Sequence, residues 1–408
     1  MPSNDQAKLK RSVNLPMLVF YGLGNIFGAG IYVLIGKMAG IAGMYVPFSF
    51  LLACVVVFFT ALSYAELSAR FPLSAGEAVY VYEGFGSPAF SRGIGLLISF
   101  AGLLSSATIL QGFHGYLSTF IALPEIVTIL ILVVILSMIA IWGIMQSMIL
   151  AFGLTLAEII GLVLVIYAGI GYIEPESISL EVLIPPLEIS VLISIILGGF
   201  LAFYAFVGFE DMVNIAEEVK NPTKTMPRAI IITLVIATLF YIVVALVSVL
   251  VITPEILSNT AAPLAKVYET ATGKSAGVLS IIAMVAVLNG ALIQIIMASR
   301  IFYGMSKQNW LPTFLSSINP KTHTPVASTI LSGALVFLFA TFFDLLTLAQ
   351  FSSFVIFIVF TLVNLSLILI KYKTPYPDEG VRTYPLFVPV MAILLNLVML
   401  GFQIMSVI

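Results

Sequence analysis

Gly24-Asn25-Ile26-Phe27-Gly28-Ala29-Gly30-Ile31-Tyr32 interrupts an apolar run that extends from about Leu15 to Gly36. At about 1.5 Å rise per residue the run is long enough to cross a bilayer, and Gly28 and Gly30 fall near half its depth. Hydrocarbon offers no partner to free N–H and C=O groups. Irregular backbone therefore survives at that depth only when it is buried in protein or lines a polar cavity. One reading of the stretch is a Gly-x-Gly face that lets a neighbouring helix approach closely. The other is a helix broken so that its backbone dipoles face a ligand. A second break, far downstream, favours the latter.

Composition sets the class. Apolar residues make up 61% of the 408 positions and charged residues 9%, with a mean hydropathy of +1.17. That pattern belongs to an all-α polytopic membrane protein. The net charge of −2 and the lack of a basic cluster give no sign of a nucleic-acid partner. The single cysteine, Cys54, rules out an intramolecular disulfide, and two histidines with one cysteine do not make a typical zinc site. No cofactor is implied. The polar, basic first fourteen residues precede a long apolar stretch without a small-residue cleavage site, so no removable signal is expected.

Apolar runs predict eleven spans, near 15–36, 41–70, 88–120, 125–145, 149–173, 190–217, 228–252, 276–305, 325–344, 346–371 and 384–406. With the N-terminus cytoplasmic, fourteen of the 17 basic residues fall inside and only Lys37, Lys266 and Lys274 outside. This positive-inside bias sets the expected orientation in the cell membrane. A polar segment at 72–87 is expected along the cytoplasmic interface. The organisation reads as a cytoplasmic tail (1–14), five spans (15–173), an acidic external linker (174–189), five more spans (190–371), and a loop with an eleventh span (372–408). The external stretch 253–275 carries a helical pattern around Pro263 to Thr270 and is a candidate lid. An odd number of spans before the linker makes the second block enter from the opposite side, the pattern of an inverted repeat led in each half by a broken helix.

The second break lies in Phe203-Tyr204-Ala205-Phe206-Val207-Gly208-Phe209-Glu210-Asp211. A carboxylate at mid-membrane costs roughly 2.5–3.5 kcal/mol on insertion scales, so two in succession require a cavity or a helix terminus. Glu210 and Asp211 are expected to open a new half-helix and complement its dipole. Two facing breaks offer both signs of partial charge. The half-helix beginning at Ala29 and Gly30 presents N–H groups to a carboxylate. The carbonyls of Ile26, Tyr204 and Val207 suit an ammonium group. A ligand carrying both on one carbon is an α-amino acid. Phe203, Tyr204 and Phe206 are candidates to cover it, or else simply pack in the core.

The first-break motif resembles that of the amino acid–polyamine–organocation (APC) permeases. So do Tyr64-Ala65-Glu66-Leu67-Ser68-Ala69-Arg70-Phe71-Pro72, Ala216-Glu217-Glu218-Val219-Lys220-Asn221-Pro222, Pro227-Arg228-Ala229-Ile230, and the stretch from Ala298-Ser299-Arg300 to Trp310-Leu311-Pro312. The resemblance implies a leucine-transporter-like 5+5 inverted repeat with an eleventh transmembrane helix, operating by alternating access. It implies substrate-carboxylate contacts at Ala29, Gly30 and Ile31, amine contacts at Tyr204, Ala205 and Val207, a gating aromatic at Tyr204, and proton sensing at Glu210; Gly28 and Gly208, at the two breaks, join the candidate substrate-binding residues.

One departure bears on coupling. Several such permeases have a lysine in span 5 where Thr155-Leu156-Ala157-Glu158-Ile159 carries an acid. Glu158 lies near mid-membrane and is a candidate to load and release a proton, or is a permanently protonated structural acid. Span 8 has Leu288 and Asn289 where sodium-coupled relatives carry paired hydroxyls, which favours proton coupling or exchange over sodium. Smaller signals are Asn289, Gln294 and Asn364 as interhelical hydrogen-bonders, His114 as a packing residue, and Ser105, Ser106 and Thr108 as pocket-lining or back-bonded hydroxyls. Glu66, Glu217 and Glu218 are candidates for ion pairs with Arg70, Lys220 or Arg228. Rival readings are a polyamine carrier, which wants more acids at pocket depth, and a receptor that binds amino acid without moving it. A membrane enzyme lacks a nucleophile–base pair or a nucleotide loop in the sequence.

Overall fold

Proline and short polar side chains start the helices that surround the two breaks. Asn14 Oδ1 accepts the Met17 N–H at 3.1 Å, Ser87 Oγ accepts the Phe90 N–H at 3.4 Å, and Asp344 Oδ1 accepts from Leu346 and Thr347 at 3.1 and 3.0 Å. The computed structural model describes residues 11, 13–73, 76–118, 120–142, 144–174, 184–307, 311–319, 321–322, 324–377 and 379–407. Most of the N-terminal tail, with Lys8 and Lys10, most of the acidic linker, and Trp310 lie outside the described residues.

In chain order the helices are Leu15–Ile26 (α1), Ala29–Tyr32 (α2), Ile35–Ala42 (α3), Val46–Arg70 (α4), Gly76–Phe85 (α5) and Pro88–Leu117 (α6). Glu125–Trp142 (α7), Ile144–Tyr172 (α8), Ile189–Tyr204 (α9) and Pro222–Val251 (α10) follow. The chain continues with Pro254–Ser258 (α11), Pro263–Thr272 (α12), Gly277–Lys307 (α13), Val326–Phe342 (α14), Leu345–Lys373 (α15) and Phe387–Val407 (α16). A 3-10 segment, Glu210–Glu218, stands between α9 and α10. Among the described residues the only extended pairing is an isolated bridge between Val13 and Val219.

Among the described residues, eight helices are long and apolar enough to cross a membrane, and α1, α9 and α14 are shorter apolar helices. This is a multi-span membrane protein. Burial sorts the long helices. The most apolar stretch of α6 is 72% buried and that of α13 67%, against 33% for α7 and for the described part of α8. So α6 and α13 stand at the centre, with α4, α10 and α15, while α7 and α8 turn apolar faces outward to lipid. The sequence places the end of the first span near Gly36. In the structure helix continues to Ala42 and turns at Gly43 (φ 59°) directly into α4. The candidate lid holds α11 and α12, and it lies on α3: Lys37 Nζ donates to the Ser258 carbonyl at 3.1 Å.

One end of the bundle is closed by a buried charge cluster. Glu66 on α4 accepts from Arg70 Nη2 at 2.8 Å, from Lys371 Nζ on α15 at 2.7 Å and from the Tyr384 N–H at 2.8 Å. The carboxylate is fully enclosed, and Lys371 also donates to the Tyr384 carbonyl at 2.8 Å. Removing one partner of a buried pair leaves an uncompensated charge, at a cost of about 3–5 kcal/mol. Glu66→Gln is therefore expected to destabilise the fold by about 3 kcal/mol or more. A large fall in melting temperature in detergent, partly recovered by adding Lys371→Met, checks it; an unchanged transition contradicts it.

Candidate functional site

α1 ends because Phe27 leaves helical geometry, at φ −76° and ψ 69°. The Gly28 N–H then turns back to the Ile26 carbonyl at 2.9 Å, and α2 restarts at Ala29. α9 ends at Tyr204 in a run of tight turns: the N–H groups of Ala205, Phe206 and Val207 bond to the carbonyls three residues earlier. Gly208 follows at φ +123°, a conformation that L side chains rarely adopt. A Cβ there would also lie 2.8 Å from Asn25 Nδ2. The expected half-helix after this break is a 3-10 segment, and the reason is local. Glu210 Oε2 turns back onto the Gly208 N–H at 2.8 Å, which tightens the first turn.

The two breaks meet. A Cβ on Gly30 would fall 2.3 Å from Ala205 Cα, so these backbones are in direct contact. Asn25 Nδ2 donates to the Gly208 carbonyl at 2.8 Å and to Asp211 Oδ2 at 2.5 Å. Asp211 Oδ2 also accepts from Gln294 Nε2 of α13 at 2.8 Å. On the far side Tyr241 of α10 places its hydroxyl 2.6 Å from both the Ile26 and Ala205 carbonyls. A phenol carries one proton, so it satisfies one carbonyl at a time. The ring is held by Phe27, Phe50 and Phe206 at centroid distances of 5.8, 5.1 and 5.1 Å.

The residues singled out in the sequence take up separate places around this contact. Ile26, Gly28, Ala29, Gly30 and Ile31 form the first break, and Tyr204, Ala205, Val207 and Gly208 the second. The Tyr204 hydroxyl lies 2.9 Å from Ser105 Oγ on α6, which fixes its ring there. Its carbonyl accepts the Val207 N–H at 3.2 Å. Phe203 stacks on Phe357 of α15 at 3.7 Å, whereas Phe206 faces Tyr241. Ser106 donates to the Ala291 carbonyl and Thr108 to its own helix at Leu104. Asn364 donates to Thr60 Oγ1 of α4.

Glu158 sits behind the first break, fully buried on α8. Its Oε1 accepts from Asn289 Nδ2 at 3.2 Å, while Oε2 has no partner. Asn289 Nδ2 also lies 3.3 Å from the Gly24 carbonyl and 3.2 Å from Thr155 Oγ1. Tyr32 of α2 donates its hydroxyl to the Glu158 carbonyl at 2.6 Å. The cluster is rich in acceptors: one carboxylate, an unpartnered amide oxygen on Asn289, a carbonyl and a hydroxyl. Such a set suits a proton or one monovalent cation; among the described residues no group of three or more His, Cys, Asp or Glu is placed to hold a metal. Sequence reasoning did not assign roles to Tyr241, Tyr32 or Asn25. Nothing in their spacing marks them, because their partners lie 36 to 215 positions away.

The amino acid permease family model matches residues 14–407, nearly the whole chain. The chain belongs to the amino acid permease family. A mitochondrial cationic amino acid transporter 3 of Arabidopsis thaliana is 28% identical over 404 residues, covering 91% of this permease and 64% of the relative. The branched-chain amino acid permease BcaP of Bacillus subtilis is 32% identical over 121 residues, or 29% of this chain and 26% of that one. The methylthioribose transporter of Bacillus subtilis is 28% identical over 410 residues, covering 95% of this permease and 86% of the relative. The permease thus spans less than two thirds of the length of the first two. These relatives are transporters and permeases, not enzymes.

The contact between the breaks yields a prediction. Gly30→Ala drives a methyl group into the Ala205 backbone, which has no side-chain freedom with which to yield. Substrate binding by the purified protein is expected to weaken at least about tenfold with the fold retained. Binding measured by thermal shift or scintillation proximity checks it, and wild-type affinity in this variant contradicts it.

Proposed function

We propose that this permease is a secondary active amino-acid carrier of the cell membrane, with a cytoplasmic N-terminus, working by alternating access from a site between spans 1 and 6. The eight long helices and the three shorter apolar ones support eleven spans, read as a 5+5 inverted repeat with a peripheral eleventh. The observation that carries the reading is the meeting of two helix breaks through Gly30 and Ala205, with Asn25 joined to Gly208. Free N–H groups around Gly30 and Ile31 suit the substrate carboxylate, and the Ile26 carbonyl with those of the second break suits its ammonium group. Because the two backbones touch in this arrangement, an amino acid enters only when the segments part, as alternating access requires.

A proton is the coupling ion best suited to the Glu158 cluster. Its free Oε2 accepts a proton within the membrane without a metal, and Tyr32 connects the same turn of α8 to α2. Loading that carboxyl removes a buried charge beside the first break and so biases its position. The names of the relatives support cationic or branched-chain amino acids as substrates, and methylthioribose belongs in the same panel.

Labelled uptake into proteoliposomes, with proton and sodium gradients imposed separately, tests the function. Amino-acid accumulation driven by the proton gradient is the expected result; binding without uptake or counterflow would identify a receptor instead. Glu158→Gln is expected to lower gradient-driven uptake at least about tenfold and to leave counterflow largely intact. Wild-type proton dependence in that variant removes Glu158 from the coupling mechanism.

A further inference from the structure

A second carboxyl is enclosed at the opposite side of the second break, where the function proposed above has no use for it. Glu77 lies on α5, the short helix in the polar segment expected along the cytoplasmic interface, and is only 3% exposed. Its Oε1 has no hydrogen-bond partner. Three polar groups surround it: the hydroxyls of Tyr64 on α4 and Tyr80 on α5, and Asn214 Nδ2 on the 3-10 segment, of which Tyr64 and Asn214 are close enough to act on the carboxyl as hydrogen-bond donors. Four polar groups from three elements share one enclosed point.

The charged groups that act on Glu77 directly are acids. From the 3-10 segment it meets Asp211 and Asn214, with Glu210 beyond, and from α4 Tyr64. Glu66 of α4 is engaged by Arg70 and Lys371. From α15, Lys373 donates to the Gly84 and Glu83 carbonyls at the other end of α5, and Ser91 of α6 donates to the Ala78 carbonyl. Arg92 of α6 is exposed. Burial, with Asp211 adding to it, pushes the Glu77 carboxyl up to about 8.

The packing that encloses Glu77 is also the packing that holds the inner arm of span 6. Gly76 sits so close to the 3-10 segment that a Cβ would meet Val213 Cγ2 at 2.4 Å, and Gly84 at the far end meets Ser366 of α15. α5 is thus wedged between the 3-10 segment and α15.

We propose that Glu77 is a second proton site of this carrier, on its inner side: protonated while α5 is packed against the 3-10 segment, and deprotonated when that packing opens to the cytoplasm. The proposal rests on the carrier reading above. It assigns the inner release step to a group separate from Glu158, with the proton passing from the Glu77 carboxyl to water. The sign follows from linkage. A carboxyl that prefers its neutral form in the packed state stabilises that state at low pH and loses this as pH rises through its packed-state value.

The test is counterflow in proteoliposomes with external pH fixed and internal pH varied from about 6 to about 9. The wild-type rate is expected to fall at least about tenfold, with a midpoint near 8. Glu77→Gln should keep the rate seen at low internal pH across the whole range, and Glu77→Asp should restore the dependence. A Gln variant that retains the wild-type profile, or that is slow at every pH although folded, overturns the proposal. Amide exchange of α5 in the wild-type protein, corrected for intrinsic rates, supplies a measurement that needs no variant: protection should fall between about pH 6 and pH 9, and unchanged protection overturns the proposal. Absence of counterflow in the wild type at every internal pH instead overturns the carrier reading itself.

Discussion

Backbone groups exposed by a helix break inside a membrane must find partners in the protein, and the rest of this structure follows from how the two breaks meet that demand. They satisfy each other. Asn25 reaches from the first break to the Gly208 carbonyl and Asp211, and Tyr241 reaches from α10 to carbonyls of both. Each broken segment meets some of its groups within its own span and depends on other elements for the rest. The helices around them, α6 and α13 above all, therefore serve as a frame that holds two incomplete elements in register.

The buried acids fall into an order set by how well they are matched. Glu66 has two cations and a backbone N–H, and its position ties three parts of the chain. Asp211 has two side-chain amides. Glu158 has one amide on one oxygen, and Glu77 leaves Oε1 with none. Fully matched charges resist rearrangement, because any movement strands them. Poorly matched ones tolerate a change of protonation, because little is lost when the charge disappears. The order thus separates fixed struts from groups suited to carry a proton.

The two breaks were legible because glycines and acids at mid-depth violate the rules of an ordinary span. The Gly24–Tyr32 motif and the Gly208-Phe209-Glu210-Asp211 run needed no structure to be noticed. The form of the second half-segment was not legible: the preference for 3-10 geometry comes from Glu210 bonding back to Gly208, which no periodicity announces. Tyr241 was invisible for a different reason. It sits in the apolar stretch of α10, where a tyrosine looks like any aromatic packing residue until the carbonyls of two distant segments arrive at its hydroxyl. Glu77 was hidden by its polar segment, which reads as a solvated interface. The placement of α5 between the 3-10 segment and α15 encloses it.

The Lys220 N–H donates to the Val13 carbonyl at 2.8 Å, so the strand leading into the first broken span is stitched to the exit of the second. Two segments joined at one end and touching at their midpoints behave as a pair of scissor blades with a common rivet. Neither can swing alone without tearing either the rivet or the crossing. Any opening toward that end would then move both segments together, its stiffness set by a short piece of main chain.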